Sequence, residues 1–351
     1  MKTTMNSAQV KSAQTQRPFP GRRGRWLSLT ALALLTLCSL LLAYDRIASA
    51  VEVRRFPPAG EMVNVGTHSL HLHCQGNGSP TVLVEAGSGS WSLDWRTTQE
   101  QIARTTRVCV YDRAGYGWSE AGPTPRTGSQ MVDELHTLVT NAGIERPFVL
   151  IAHSFGGLTA RIYADQYPEE VAGLVLLDTR HEDFTAAAPQ EVTAAEEGAA
   201  SSLQVGLLLE RTGLIRLLGP LLAPPPQGVP ETLHPLYRAH FYQDKFLRAL
   251  ANEGRAMATT EAEAAQTGNL GDTPLIVLTH DPQHPMVIPG LPTDVNRQVE
   301  ELWQQTQQAM TNLSSDSRFI VAEDSGHNIH VDRPDLVSDV ITQMISMARG
   351  R

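Results

Sequence analysis

Residues 148–157 read FVLIAHSFGG. A short apolar run bounded by Pro147 and a glycine pair has the length and composition of a buried strand. The residues after it, LTARIYADQY, have helical composition and stop before Pro168, which cannot continue a helix. Strand, small residue, x, Ser, x, Gly, helix is the nucleophile-elbow pattern, with Ala152 where the first glycine usually stands. Such a turn holds its serine in strained dihedrals with the hydroxyl exposed, so its neighbours must be small. The helix that follows points free N–H groups at the same place. A serine before a glycine elsewhere often marks only a turn. Between FVLIA and a helix, the catalytic reading of Ser154 outweighs that one.

Working outward, β-rich runs alternate with helical stretches. Residues 61–65 and 69–74 read as an antiparallel hairpin, followed by TVLVE at 81–85, RVCVY at 107–111, VAGLVLL at 171–177, PLIVLT at 274–279 and RFIVA at 318–322. Continuous apolar runs fit strands covered on both faces. Helices are expected at 129–141, 158–167 and 334–348, the last with Leu336, Val340, Ile341 and Met344 on one stripe. The alternation predicts an α/β protein with a mostly parallel sheet and helices on both faces. Residues 184–270 break it. They contain no convincing strand, are Ala/Glu-rich and then Leu-rich, and read as a helical insertion over the strand ends.

A catalytic serine needs a base. His327 lies in AEDSGHNIHVDRP, just after the last expected strand and before the last helix. A loop histidine there can take the serine proton and return it to a leaving group. His330 competes, but it falls at the start of the next helix.

At this point the body resembles the α/β-hydrolase-fold enzymes that carry a cap. The pieces that carry the resemblance are TVLVEAGSGSWSLDW, RVCVYDRAGYGWSE, FVLIAHSFGG, GLVLLD and DSGHNIHVDRPDLV. The resemblance implies an eight-stranded, mostly parallel sheet with a helical cap inserted after strand six. The core would then be 51–183 and 271–351, with the cap at 184–270. It implies a Ser–acid–His triad of Ser154, His327 and an acid that ends one of two strands. Asp178, after GLVLLD, is favoured. Asp281, after PLIVLT, is the fallback, with Asp183 and Glu323 behind it. The implied oxyanion donors are the N–H groups of Phe155 and Gly87, with Ser88 as neighbour of the latter. Residues 112–119 are implied to be structural, holding the turn beside the site. This chain departs from the family at Glu85-Ala86, where His-Gly is usual. The implied activity is serine hydrolysis of carboxylic esters through an acyl-enzyme, with a small or medium apolar ester as substrate. An aminopeptidase of the proline-iminopeptidase kind is the first alternative, and a catalytically inactive binding protein on the same scaffold is the second. Dehalogenases and epoxide hydrolases of this fold use Asp at the elbow, where this chain has Ser154.

The family's strand order, 1-2-4-3-5-6-7-8, would set strand two beside strand four. Cys74 and Cys109 would then meet within the ~4.4–6.8 Å Cα separation of a disulfide. The cysteine spacing is not a metal motif, and the glycines of 112–119 do not match a phosphate loop. Neither a metal nor a cofactor is expected.

The first fifty residues differ from the rest. They hold seven basic residues against Asp45 alone, although the whole chain carries −9. That acidic body argues against a nucleic-acid partner. With 41% apolar and 19% charged residues the chain is globular in composition, which excludes the disordered and collagen-like classes. Residues 26–44, WLSLTALALLTLCSLLLAY, carry no charge and match the roughly 30 Å hydrocarbon core of a bilayer. Arg22, Arg23 and Arg25 precede them, so the N-terminus is expected in the cytoplasm and the body outside it, periplasmic or extracellular. Arg22-Arg23 also looks loosely like a twin-arginine signal. Ala48-Ser49-Ala50 offers the alternative of cleavage after Ala50 and secretion.

Overall fold

The computed structural model describes residues 22–210, 212–214, 216–218 and 229–350. The basic residues Lys2, Lys11 and Arg17, and the Leu/Pro stretch at 219–228, lie outside the described residues.

The chain opens with helix α1 (Arg22–Arg55), then β1 (Glu61–Asn64), β2 (Ser69–Gln75), β3 (Val82–Glu85), α2 (Arg96–Ile102), β4 (Val108–Tyr111), α3 (Gly128–Asn141), β5 (Phe148–His153), α4 (Gly156–Gln166) and β6 (Val171–Leu177). Then follow α5 (Phe184–Ala187), α6 (Gln190–Glu210), α7 (His234–Phe241) and α8 (Asp244–Ala264). Then come β7 (Leu275–His280), α9 (Thr293–Met310), β8 (Ser317–Ala322), α10 (Ile329–Asp332) and α11 (Pro334–Arg349). The eight strands form one sheet in the order β1-β2-β4-β3-β5-β6-β7-β8. β2 runs antiparallel to both its neighbours, and β3 to β8 are mutually parallel.

Side chains alternate across a strand, so each central strand feeds two cores. Leu83, Leu150, Leu174 and Leu176 pack on the face covered by Met131 and Leu135 of α3 and Leu158 and Ile162 of α4. Val82, Val84, Val149, Ile151, Val175 and Ile276 pack on the other, against Val337, Val340, Ile341 and Met344 of α11. Complete burial of a side chain of this kind contributes about 1.5–3 kcal/mol. The run RFIVA was expected to be covered on both faces, and β8 is not. It is the last strand, paired only with β7, and most of its residues keep partial contact with solvent.

Cys74 and Cys109 are directly opposite in the β2–β4 register and form a disulfide. Their Cα atoms are 4.0 Å apart, closer than the expected range, because the bridge joins a facing pair.

α1 is 34 residues long and is the helix long and apolar enough to cross a membrane among the described residues. It runs beyond Tyr44 to Arg55, through the Ala48–Ala50 site. Past its apolar part it meets the insertion. Arg216 donates to Asp45 Oδ1 at 2.8 Å and to Ser49 Oγ at 2.7 Å, and also pairs with Glu52.

Candidate active site

The turn between β5 and α4 places Ser154 at the carboxyl edge of the sheet. Its φ of +52° lies in the left-handed region, a cost that non-glycine residues bear chiefly at functional turns. A Cβ at Gly156 would stand 2.6 Å from the carbonyl oxygens of Glu85 and Ala86. That close approach is what keeps position 156 glycine.

Three side chains converge there. Ser154 Oγ lies 3.0 Å from His327 Nε2, and His327 Nδ1 lies 2.6 Å from Asp178 Oδ2. A carboxylate only accepts, so Nδ1 carries the proton and donates to Asp178. Nε2 of the neutral ring is then free to accept from the serine hydroxyl. Asp178 follows β6 with φ +48° and is completely buried. Its carboxylate also accepts from His280 N–H at 3.1 Å, Thr279 Oγ1 at 3.1 Å and Trp303 Nε1 at 3.0 Å. Burial alone would push this carboxyl up. Hydrogen bonds from His280 and His327, with the charge of His280, override it and hold the group well below the usual carboxylate range.

Asp281 is elsewhere. Its carboxylate accepts from the backbone N–H of Gln283 at 2.9 Å and of Asp324 at 3.1 Å, so it braces the loop that carries His327 without facing the ring. Asp183 precedes α5 with a largely exposed side chain. Glu323 is exposed, and its carbonyl accepts from Arg333. His330 stacks on Trp95, with ring centroids 4.3 Å apart. His153, the variable residue of the elbow, lies 3.0 Å from the carbonyl oxygen of His327 through Nε2. That nitrogen must therefore carry the proton. Burial and the neighbouring His327 pull His153 down to about 3, so it stays neutral and braces the loop.

Gly87 lies against the serine: a Cβ there would stand 3.2 Å from Ser154 Cβ and 2.8 Å from His153 Nδ1. Phe155 caps α4, so its N–H belongs to the unpaired first turn of that helix. Glu85, the departure noted above, does not intrude. Its buried carboxylate accepts from Arg113 Nη1 at 2.9 Å and from the Tyr111 hydroxyl. Arg113 also donates to the carbonyls of Ala86 and Gly87 and to Glu253 on α8. Ser88 Oγ donates to the same Glu253 at 3.2 Å.

A cavity of about 430 Å³ opens in front of Ser154 and His327. Phe155, Phe184, Val192, Met257, Met286, Ile288 and Trp303 give it an apolar lining. Its wall also carries Arg180 and Glu196, which pair at 3.0 Å, and Arg180 pairs as well with Glu261 at 2.6 Å. A larger cavity, about 600 Å³, lies between the end of α1 and the start of α8 and contains neither Ser154 nor His327.

A family model described as alpha/beta hydrolase fold matches residues 80–201. The chain covers 98% of the structure of a thermophilic esterase from Thermogutta terrifontis, at 23% identity over 82% of this chain and a TM-score of 0.58. Together with the strand order and the elbow, that match decides the fold.

The chain has the α/β-hydrolase fold.

Other proteins similar to this chain differ in their names. A putative epoxide hydrolase from Pseudomonas aeruginosa is 20% identical, covers 83% of this chain and 96% of its own, and gives a TM-score of 0.63. An AB hydrolase superfamily protein of Gibberella zeae is 26% identical over 77% of this chain and 87% of its own length. A relative of higher identity, 33% over 129 residues, is matched over only 18% of its own length. The family match supports hydrolytic activity.

Sequence reasoning missed four residues around this site: His280, Glu300, Trp303 and Glu253. For Trp303 and Glu300 a signal was present. Residues 300, 303, 304 and 307 recur at helical spacing on α9, and they face Asp178, Thr179 and His280.

Proposed function

We propose that the protein is a serine hydrolase that cleaves carboxylic esters with an apolar acyl or alcohol part. The observation that carries the reading is the alignment of Ser154 Oγ, His327 and Asp178, at 3.0 and 2.6 Å. As Oγ attacks the ester carbonyl, His327 takes its proton and then returns it to the departing alkoxide. Water attacks the acyl-enzyme with His327 again as base. Asp178 holds the ring in the required tautomer and stabilises the imidazolium that forms. The carbonyl oxygen becomes negative in each transition state, and the N–H groups of Phe155 and Gly87, with Ser88 beside them, are its donors in this reading.

The apolar cavity favours an uncharged substrate, since a buried charge there would lack a partner. It also weighs against the aminopeptidase reading. A free amine needs a free carboxylate, and Glu196, the glutamate that lines the cavity, is paired with Arg180. Serine at the elbow weighs against dehalogenase or epoxide-hydrolase chemistry.

The proposed location is a membrane anchor through residues 26–44 with the body exported, periplasmic or extracellular. The basic residues before the segment and a disulfide in the body support this. An N-terminus at Val51 in the mature protein would replace the anchor by secretion.

A fluorophosphonate probe should label the wild type and not Ser154→Ala. With p-nitrophenyl butyrate, Ser154→Ala and His327→Ala should each lose about three orders of magnitude or more. Activity above about one per cent in either variant would refute the assignment. Faster turnover of aminoacyl anilides than of esters would favour the peptidase.

A further inference from the structure

His280 is the last residue of β7 and is completely buried, yet both of its ring nitrogens face carboxylates. Nδ1 lies 2.9 Å from each oxygen of Asp178. Nε2 lies 3.1 and 3.0 Å from the two oxygens of Glu300, on α9. Carboxylate oxygens accept and do not donate, so a histidine between two of them must donate from both nitrogens, and the ring is then a cation. Asp178 cannot supply the proton instead. Its oxygens already accept from Thr279, Trp303 and the His280 backbone, an environment built for an anion.

We propose that His280 and Glu300 are a positioning pair for the active site: an imidazolium bridging two carboxylates, which fixes the Asp178 carboxylate and sets the basicity of His327. The proposal rests on the serine-hydrolase reading of that site.

The groups that face His280 come from three elements. The end of β6 supplies Asp178, and α9 supplies Glu300 with the neutral Gln304. The loop after β8 supplies His327, on the far side of Asp178. Behind His327, His153 and His330 are both pulled down by burial and stay neutral. Burial also pulls His280 down, but hydrogen bonds from its ring to Asp178 and Glu300, and their charges, raise it to about 10. It therefore stays charged through the neutral range.

This arrangement differs from a lone aspartate behind the base. An unopposed Asp178 charge would raise the basicity of His327 to its full extent. The imidazolium offsets part of that charge, and Glu300 restores part of it. Removing one or the other should therefore move His327 in opposite directions, a pattern that loss of packing does not produce.

The test uses the full-length protein in detergent, with p-nitrophenyl butyrate and kcat/KM measured against pH. His280→Gln removes the cation, so the acid limb should move up by about one pH unit. Glu300→Gln removes the outer anion, so the limb should move down, and Glu300→Asp should restore it. Nitrogen NMR of the histidine-labelled protein gives a readout that needs no turnover. At pH 8 His280 should show two protonated ring nitrogens, in the wild type and in Ser154→Ala alike. A neutral His280, an unmoved limb in either folded variant, or shifts of the same sign would overturn the proposal. Should His280→Gln fail to fold, Glu300→Gln decides the limb alone. Full activity in Ser154→Ala would instead overturn the hydrolase reading, and the nitrogen spectrum would still judge the bridge.

Discussion

Arg113 Nε donates to Glu253 Oε1 at 2.9 Å, and this contact ties the helical insertion to the loop that ends beside Ser154. The same guanidinium holds Glu85 and the carbonyls of Ala86 and Gly87. Arg113, Glu85 and Glu253 are all buried, so none of these charges can fall back on water.

Glu253→Gln should therefore be costly although it sits on the insertion. It leaves the buried cation with one carboxylate, and breaking such a pair costs about 3 kcal/mol or more. Denaturant unfolding should show that loss. Ester turnover should fall as well, because Arg113 and Ser88 would lose the partner that orders the Gly87 loop. Wild-type stability in this variant would mean that the cluster is not coupled.

Asp178→Asn should reduce kcat by about 10⁴, since an amide holds the wrong tautomer of the base. Asp281→Asn should reduce it far less, because that carboxylate receives two backbone N–H groups and not the ring. Steady-state kinetics of the two variants side by side would check the ranking.

The buried histidine of β7 has a consequence for stability against pH. His280 is raised from 6.5 to about 10 in the folded protein. A raised folded value means that its contribution is complete below about pH 6.5 and is lost as pH climbs through about 10. Asp178 is lowered, so its contribution holds above its ordinary 3.8 and fades as pH falls below that. Tm should therefore decline on both sides, and His280→Gln should flatten the alkaline side. An equal alkaline slope in wild type and variant would refute the assignment.

The Cys74–Cys109 bridge closes a loop of 35 positions. Loop entropy for that length gives about 3–4 kcal/mol of stabilisation. Thiol titration of the denatured, unreduced chain should find Cys38 alone, and reduction should lower the unfolding midpoint. Three reactive thiols before reduction would remove the bridge.

Local pattern was enough to place the strands and the elbow, because FVLIAHSFGG carries its own strand, turn and helix signals within ten residues. The choice between Asp178 and Asp281 was harder. Both follow apolar strands whose carboxyl ends lie at one edge of the sheet, so position alone does not separate them. Backbone direction does: Asp178 turns through a left-handed φ toward His327, while Asp281 turns into its own loop. His280 and Glu253 were out of reach for a different reason. Their partners lie 102 and 140 residues away, and no periodicity reports a contact of that range. α2 was missed because RTTQEQI has no apolar stripe; it buries Thr98 and Gln99 beside Ile102.

The two ion pairs that share Arg180 differ in exposure. Glu261, from α8, is 6% exposed, whereas Glu196, from α6, is 44% exposed. Dissolved ions screen the second and hardly reach the first. Raising the ionic strength should thus weaken the Glu196 pair while the Glu261 pair keeps its hold. Salt would then leave α6 on the cavity wall by its greasy contacts alone, with Val192 buried beside Phe184 and Trp303.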